Sequence, residues 1–166
     1  MNSAVTLVDF DRLLNGLDHI YSEFSRACGL SDYAYWMLVD TSTAGGSIAV
    51  SRLTSEWFYS KQTINSAIKT LTAWDFATLE FAEGSRKNKV VRLTEAGMRF
   101  AERYALPALK AEQRAFGALE PCEQREIMRL IGKFSHALGE ECDAFKQHIA
   151  AESQVENQGE GESCDC

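Results

Sequence analysis

The chain has 166 residues, of which 45% are hydrophobic and 25% charged, the composition of an ordinary soluble globular protein. No apolar run approaches the roughly 18–20 residues that a membrane-spanning helix needs. The first five residues lack the basic start and apolar stretch of a secretion signal. We therefore expect a cytoplasmic protein with no membrane partner.

Five cysteines are scattered along the chain, and an odd, scattered set argues against a disulfide framework. No pair of CxxC motifs is present. Cys164 and Cys166 form a single CxC after a polar, acidic stretch. A zinc site and a disordered tail are the two interpretations of this CxC, and we favour the disordered tail.

The net charge of −7 is unevenly distributed. Residues 51–105 contain nine Lys and Arg against six Asp and Glu, whereas the segments before and after them are negative. Phosphate binding depends on a local basic patch, and total charge mainly affects solubility and long-range steering. The acidic total therefore does not exclude a nucleic-acid partner for the middle segment.

Two helices are predicted in the first 45 residues. Apolar residues recur at steps of three and four from Leu7 to Phe24, and Gly29 suits a C-terminal cap. Ser31 can cap a second helix that continues through Val39 and ends before residues 44–46.

Two shorter helices are predicted next. The first would be capped by Ser47 and would contain Ala49, Val50 and Leu53. Ser60 would cap the second, whose apolar positions i, i+3, i+4 and i+7 form one buried stripe. This stripe consists of Ile64, Ala67, Ile68 and Leu71.

One β-hairpin is the only strong strand signal. Residues 79–81 alternate in polarity, residues 84–88 form a basic tip, and residues 90–93 return. Thr94 would then cap a helix to about Leu119, bent or broken at Pro107 because proline lacks the N–H donor. A last helix would start at Pro121.

The order helix, turn, helix, basic-tipped hairpin is that of a winged helix-turn-helix, whose second helix can lie in the major groove. We therefore predict a mainly α fold with a small β-hairpin wing and a helical dimerisation region. Candidate DNA-binding residues on the second helix are Lys61, Gln62, Asn65, Ser66 and Lys69, with Ser60 and Thr63 at its start. On the wing they are Arg86, Lys87 and Lys89.

Each of these two features also has a plainer interpretation. Any amphipathic helix has a polar face, and any exposed hairpin has a solvated turn. No acidic residue occurs between Ser60 and Ala73, although the whole chain is acidic, and the basic hairpin follows directly. These two facts together favour DNA binding.

The run from Ser55 to Leu71, SEWFYSKQTINSAIKTL, resembles the turn and recognition helix of the MarR (multiple antibiotic resistance regulator) family. The run from Val90 to Gly97, VVRLTEAG, is similar to that family's wing exit and helix start. One departure is in the wing, where the family usually has Asp-x-Arg and this chain has Ser85 and Lys87. Lysine lacks the planar guanidinium fork, so Arg86 is the alternative for minor-groove reading.

The resemblance implies a homodimer joined through its terminal helices, with ligand-controlled repression from a pseudo-palindromic operator. It divides the chain into a helical dimerisation region at 1–30 and 106–150 and a DNA-binding domain at 31–105. The polar, acidic composition of residues 151–166 predicts a disordered tail. It also implies an effector pocket near the start of the second helix. The candidates for that pocket are His19, Tyr33, Trp36 and Met37.

Aromatic and methionine side chains at helical spacing are also typical of ordinary core, so both interpretations of these four residues stay open. Cys28 is a candidate redox switch, with a small buried hydrophobe as the alternative. His19, His136 and His148 lie far apart, in no nucleophile, phosphate-loop or metal motif, so we expect no enzyme activity, cofactor or metal. The alternative function is a winged-helix module that binds protein rather than DNA.

Overall fold

The computed structural model describes residues 4–57 and 59–159, without the side chains of residues 57 and 153–159. Two compact units are present, Met1–Arg114 and Ala115–Cys166. The helices are α1 (Leu7–Ala27), α2 (Asp32–Thr43), α3 (Val50–Trp57), α4 (Lys61–Ala73), α5 (Glu95–Phe100), α6 (Leu106–Phe116) and α7 (Pro121–Gly159). The strands are β1 (Ser47–Ala49), β2 (Ala77–Phe81) and β3 (Lys89–Leu93). The predicted fold class, mainly α with a small β wing, is confirmed.

Side-chain caps start the helices where the sequence predicts them. The Ser31, Ser60 and Thr94 hydroxyls accept hydrogen bonds from the backbone N–H three residues later, at the starts of α2, α4 and α5. Thr6 and Asp9 form a capping box at the start of α1. Gly29 follows α1 with φ +71°, a left-handed conformation that favours glycine.

The hydrophobic core is centred on α2. Tyr35, Met37 and Leu38 are fully buried there. Helix α4 contributes its predicted apolar stripe, of which Ile64 and Leu71 are almost completely excluded from solvent. Burial of this stripe leaves the polar side of α4 facing outward.

The sheet has three antiparallel strands in the order β1-β3-β2, so the prediction of a hairpin alone was incomplete. Ser47 is not a helix cap, as the sequence suggested, but the first residue of β1, and it pairs with Arg92. Gly45 and Gly46 take φ values of +82° and +90°, which lead the chain into this strand. A three-residue strand is too short to show alternation, and its partner lies over 40 residues away.

The segment before Pro107 is π-helical over Ala101–Ala105, between α5 and α6. The predicted disturbance is therefore present, but it takes the form of a wider turn rather than an end of the helix. Proline lacks an N–H donor, and its ring crowds the carbonyl four residues earlier. A π turn shifts that carbonyl away and keeps the chain helical.

Helix α7 extends beyond the predicted start of the tail at residue 151 and ends at Gly159. Low hydrophobicity indicates that a segment does not pack in a core, but Ala, Glu and Gln are good helix formers. Cys164 and Cys166 lie outside the described residues. Within the described ranges, none of the helices combines the length and apolar character needed to cross a bilayer.

Gly97 lies where α5 passes close to the backbone of Phe76, in the turn before β2. A Cβ atom placed on Gly97 would lie 1.9 Å from the carbonyl oxygen of Phe76, far inside contact distance. The same carbonyl accepts a hydrogen bond of 3.0 Å from the Thr94 N–H, and the Thr94 hydroxyl donates to the Asp75 carbonyl at 2.6 Å. Helix α5 is therefore fastened directly to the turn that follows α4.

We predict that Gly97→Ala lowers the free energy of unfolding by about 2–3 kcal/mol, because the added methyl forces backbone apart. Alanine has a higher helix propensity than glycine by about 1 kcal/mol, and this gain offsets only part of the loss caused by the steric overlap. Urea denaturation followed by circular dichroism measures the change. Gly16→Ala in α1 is the matched control, since no atom lies within 4 Å of its added Cβ. Equal stability of Gly97→Ala and Gly16→Ala would contradict the close contact.

Candidate nucleic-acid interface

The exposed face of α4 is the candidate DNA-reading face. It consists of Lys61, Gln62, Asn65, Ser66 and Lys69, all exposed as predicted. The two lysines make no ion pair with a carboxylate of residues 4–57 or 59–152. Their charges are therefore available to an external anion. The amides of Gln62 and Asn65 have the donor and acceptor pattern that pairs with adenine edges.

At the start of α4, the hydroxyls of Ser60 and Thr63 lie 2.7 Å apart. Ser60 also accepts from the Thr63 N–H at 3.1 Å, so this hydroxyl is engaged in capping. One of the two hydroxyl protons is used between them and the other stays free to donate. A helix N-terminus with a free donor is suited to a phosphate oxygen.

The wing tip is stabilised by Ser85. Its hydroxyl oxygen accepts hydrogen bonds from the N–H groups of Lys87, at 3.2 Å, and Asn88, at 2.9 Å. Gly84 before it has φ +71°. Ser85 therefore fixes the backbone of the tip at the position where the family pattern has an aspartate.

The base of the wing is held by an ion pair across β2 and β3. The Arg92 guanidinium lies 3.3 Å from a Glu80 oxygen, and Thr78 donates to Glu80 at 2.8 Å. These hydrogen bonds, from Thr78 first and then Arg92, lower the pKa of the Glu80 carboxyl. Arg92 is thus occupied inside the wing.

Unlike Arg92, the predicted basic residues of the wing have their charges available to bind an external anion. Arg86, Lys87 and Lys89 are exposed and make no ion pair with a carboxylate whose side chain is described. The Lys89 ammonium lies 5.9 Å from the centre of the Phe81 ring, a weak cation–π contact at an exposed site. The wing therefore presents three positive charges outward.

The four effector candidates lie in different environments. Met37 is fully buried in the core, and His19 is exposed on α1. Tyr33 is half exposed and packs edge-on against Tyr59 at 5.3 Å. Only Trp36 belongs to a cluster of polar aromatic residues.

That cluster, which we call the α1–α2 cluster, consists of Tyr21, Tyr35, Trp36 and Glu112. The Tyr21 hydroxyl donates to Glu112 at 2.6 Å, and this bond, with burial, raises the pKa of Tyr21 to about 12. Trp36 packs edge-on against both tyrosine rings, at 5.4 and 5.1 Å. Tyr21, Tyr35 and Glu112 were not among the predicted site residues. Local spacing could not pair Tyr21 with Glu112, because 91 residues separate them.

The Tyr35 hydroxyl is buried and has no hydrogen-bond partner among the described residues. Burial first, then the nearby Cys28 and Glu112, raises the pKa of Tyr35 to about 12, so it stays a neutral donor. A buried polar group without a partner costs free energy. A bound polar molecule would satisfy this hydroxyl.

Cys28 is half buried, and burial raises the pKa of its thiol. Since the thiolate is the reactive species, a raised pKa slows reaction with oxidants. The environment of Cys28 therefore favours the small buried hydrophobe over the redox switch.

Asp40, on α2, is a partly buried carboxylate that interacts electrostatically with Arg52 and Glu56 of α3. One of its carboxylate oxygens has no partner in the part of the chain that the structure describes. The pKa of Asp40 is raised to about 6, chiefly by burial. The positive charge of Arg52 lowers this pKa, and the negative charge of Glu56 raises it further. Arg52 is itself paired with Glu56 at 2.8 Å, which explains why it compensates Asp40 poorly.

The order of these elements can be compared with that of solved structures, of which many match. A MarR family transcriptional regulator of Streptomyces coelicolor, AbsC, is 20% identical, with 82% of this chain and 98% of that chain covered and a TM-score of 0.63. The chain has the MarR fold. No family model matches the sequence, and no curated protein shows significant similarity to it.

Two further structures with the MarR fold were solved with bound partners. A putative MarR family regulator from Listeria monocytogenes, complexed with a 26-mer DNA, is 19% identical, with 81% and 89% of the chains covered and a TM-score of 0.62. NadR, in complex with 4-hydroxyphenylacetate, is 9% identical, with 81% and 94% covered and a TM-score of 0.60. Identities this low establish the shared fold alone.

We predict that Asp40→Asn raises the free energy of unfolding at pH 7 by about 1–2 kcal/mol. A shift from 3.8 to about 6 corresponds to roughly 3 kcal/mol, which we reduce because the group is partly exposed. The native state binds the Asp40 proton more tightly than the unfolded state does. Ionisation of Asp40 therefore destabilises the native state progressively as pH rises from about 4 to 6, and this loss is complete above about 6.

Urea denaturation at pH 4.5, 6 and 7.5 measures this effect. The advantage of Asp40→Asn over the unsubstituted chain should grow between pH 4.5 and 7.5. Asp18→Asn, at an exposed position of α1, is the control and should show no such growth. If the stability gained by Asp40→Asn is the same at all three pH values, the gain comes from packing and not from the ionisation of Asp40.

Proposed function

We propose that the chain is a transcriptional regulator that binds double-stranded DNA as a homodimer. The observation that carries this proposal is the DNA-reading face of α4, an exposed face without acidic residues. Its lysines make no ion pair with a carboxylate of the described side chains. Helix α4 would lie in the major groove, and the wing would contact the adjacent backbone. The DNA complex of a Listeria protein with the same fold supports this assignment.

The proposed homodimer is supported by apolar surface that one chain leaves exposed. On α1, Leu13, Leu17 and Ile20 are each more than half exposed. On α7 a second stripe is exposed, comprising Ile127, Met128, Leu130, Ile131, Phe134, Leu138, Phe145 and Ile149. Apolar surface on this scale is typical of an association interface, and most soluble oligomers are symmetric homo-oligomers.

We further propose that the α1–α2 cluster binds a small-molecule effector that controls DNA affinity. Its support is the buried Tyr35 hydroxyl, which has no hydrogen-bond partner in the described part of the chain, together with the Tyr21–Glu112 pair. The complex of NadR with 4-hydroxyphenylacetate shows that this fold accommodates a phenolic acid. Repression is the mode of action that the family resemblance suggests.

Selection of bound sequences from a random DNA pool tests the function directly. We expect an inverted repeat with half-sites about 10 base pairs apart, because two-fold protein symmetry imposes this spacing. Enrichment of sites without inverted symmetry would contradict the dimeric mode of binding. Failure to enrich any sequence would favour a protein-binding winged helix, for which the exposed Leu79 and Phe81 of β2 are a suitable apolar surface.

We predict that substitutions on α4 and on the wing have different effects. Asn65→Ala or Gln62→Ala should weaken binding to the preferred site by about 1–3 kcal/mol and relax selectivity at one or two positions, since their amides face base edges. Lys87→Ala or Lys89→Ala should weaken binding to all DNA sequences by a similar factor, since each lysine neutralises a phosphate. Each should also lower the slope of log affinity against log salt concentration by about one unit. If the Arg86 side chain enters the minor groove, Arg86→Ala should reduce affinity most for sites with A·T-rich flanks.

Fluorescence anisotropy with preferred and scrambled DNA at several salt concentrations measures these differences. Lys133→Ala on α7 is the control for loss of one exposed positive charge and should leave affinity unchanged. If wing and helix variants lose affinity in one common pattern, the division of roles is wrong. If none loses affinity, this face does not read DNA.

We predict a homodimer of about twice the chain mass of 18.5 kDa. Leu138→Glu should shift the protein toward monomer, because a charge would enter the apolar stripe of α7. Sedimentation velocity at micromolar concentration measures both. Gln147→Glu, which adds the same charge to α7 away from that stripe, should leave the dimer intact. A monomeric unsubstituted chain would contradict the proposal.

A further inference from the structure

A groove with a volume of about 590 Å³ lies beside the start of α5, away from the α1–α2 cluster. Its walls include Phe76, Phe100, Tyr104, Arg103 and Glu102. We propose that this groove, which we call the aromatic groove, binds a planar aromatic anion such as an aromatic carboxylate. The binding itself does not depend on the function proposed above.

The rings in the groove form a continuous ladder. Phe76 and Phe100 have ring centres 4.4 Å apart at an interplanar angle of 33°, and Phe100 and Tyr104 are 4.8 Å apart at 47°. Trp74 extends the ladder beyond Phe76, at 5.7 Å. Tyr104 is 42% exposed, so its ring is accessible to a ligand. Flat aromatic rings stack on such surfaces in offset or tilted geometries.

The charge of the ligand is indicated by Arg103. Its guanidinium stacks over the Tyr104 ring, 5.2 Å from the ring centre, and makes no ion pair with any carboxylate whose side chain is described. The neighbouring Arg99 is already paired with Glu95 at 2.5 Å. A planar guanidinium with free donors is suited to a carboxylate, which it binds through two parallel hydrogen bonds.

Glu102 limits which anions fit. Its exposed carboxylate also lines the groove and repels negative charge placed near it. A ligand with one carboxylate can turn that group toward Arg103 and keep its ring against the ladder. Ligands with several anionic groups bring at least one of them closer to Glu102. The aromatic groove therefore favours monoanions.

The backbone that supplies Arg103 and Tyr104 is the π-helical segment 101–105. Ala101 and Ala105 are fully buried and anchor this segment to the core. Short π-helical turns inside α-helices occur frequently at functional sites. Here the wider turn presents a cation and an aromatic ring side by side on the exposed side.

The aromatic groove also contacts the turn after α4. The Phe76 N–H donates to the Leu71 carbonyl in the last turn of α4 at 2.8 Å. A ligand packed on the Phe76 ring would thus restrict the backbone that ends the DNA-reading helix. A change in DNA affinity on ligand binding is an additional consequence, and it alone rests on the proposed function.

Isothermal titration calorimetry of the full chain with 2-naphthoate, without DNA, tests the aromatic groove. We expect one molecule bound per chain. Arg103→Gln should weaken binding about tenfold or more, because a charge-assisted hydrogen bond is lost. Tyr104→Ala should weaken it as well, and Arg103→Lys should recover only part of the affinity. Arg114→Gln, which removes another exposed arginine of the same unit, is the matched control and should bind normally.

Two further probes separate the ring from the charge. 2-Naphthamide has the same ring without the charge, and cyclohexanecarboxylate has the charge without an aromatic ring, so both should bind at least about tenfold more weakly. Circular dichroism should show that every variant is folded, and Tyr104→Phe, which keeps the ring, should bind as the unsubstituted chain does.

Absence of 2-naphthoate binding to the unsubstituted chain overturns the proposal. It is also overturned if Arg103→Gln binds normally, or if Tyr35→Phe in the α1–α2 cluster abolishes binding while Arg103→Gln does not. DNA affinity measured without 2-naphthoate reports on the proposed function separately. Binding of 2-naphthoate together with loss of all DNA binding would leave the aromatic groove supported and the transcriptional function refuted.

Discussion

The close approach of α5 to the backbone of Phe76 is the contact on which the arrangement of the first unit depends. Only a glycine at position 97 allows it, because any Cβ would overlap the Phe76 carbonyl. Two hydrogen bonds of Thr94 fasten the same turn, one to the Phe76 carbonyl and one to the Asp75 carbonyl. This turn connects the end of α4 to the start of β2 and supplies a wall of the aromatic groove. Three elements thus meet at one backbone contact.

Charge is unevenly distributed over this acidic chain. The negative charge lies mostly outside residues 51–105. The lysines of α4 and the three basic residues of the wing make no ion pair with a carboxylate whose side chain the structure describes. Inside the first unit, the Tyr35 hydroxyl and one Asp40 oxygen are buried and have no hydrogen-bond partner among the residues that the structure describes. These two atoms reduce stability in the free chain. At Tyr35 that loss is consistent with a site that a ligand completes.

Much of the local structure followed from the sequence. The caps at Ser31, Ser60 and Thr94 and the apolar stripe of α4 depend on residues within one or two turns of each other, so their spacing predicts them. The exposed positions of the DNA-reading face followed from the same stripe. Strand β1 could not be predicted in this way, because Ser47 forms its pairing with Arg92 across 45 residues. The helical state of residues 151–159 was also missed, since a lack of apolar anchors was taken as a lack of helix.

The sequence by itself determined which residues of α4 and the wing face outward, because burial of a periodic apolar stripe leaves one face only for the polar residues. Tertiary structure alone decided which distant groups meet. Glu112 reaches Tyr21 from 91 positions away, and Phe76, before β2, packs against Phe100 of α5. It also decided how the wing is braced, since Ser85 hydrogen-bonds the tip backbone at the position where the resembled family usually has an aspartate. Local periodicity carries no information on such contacts, because they depend on how the helices and strands pack together.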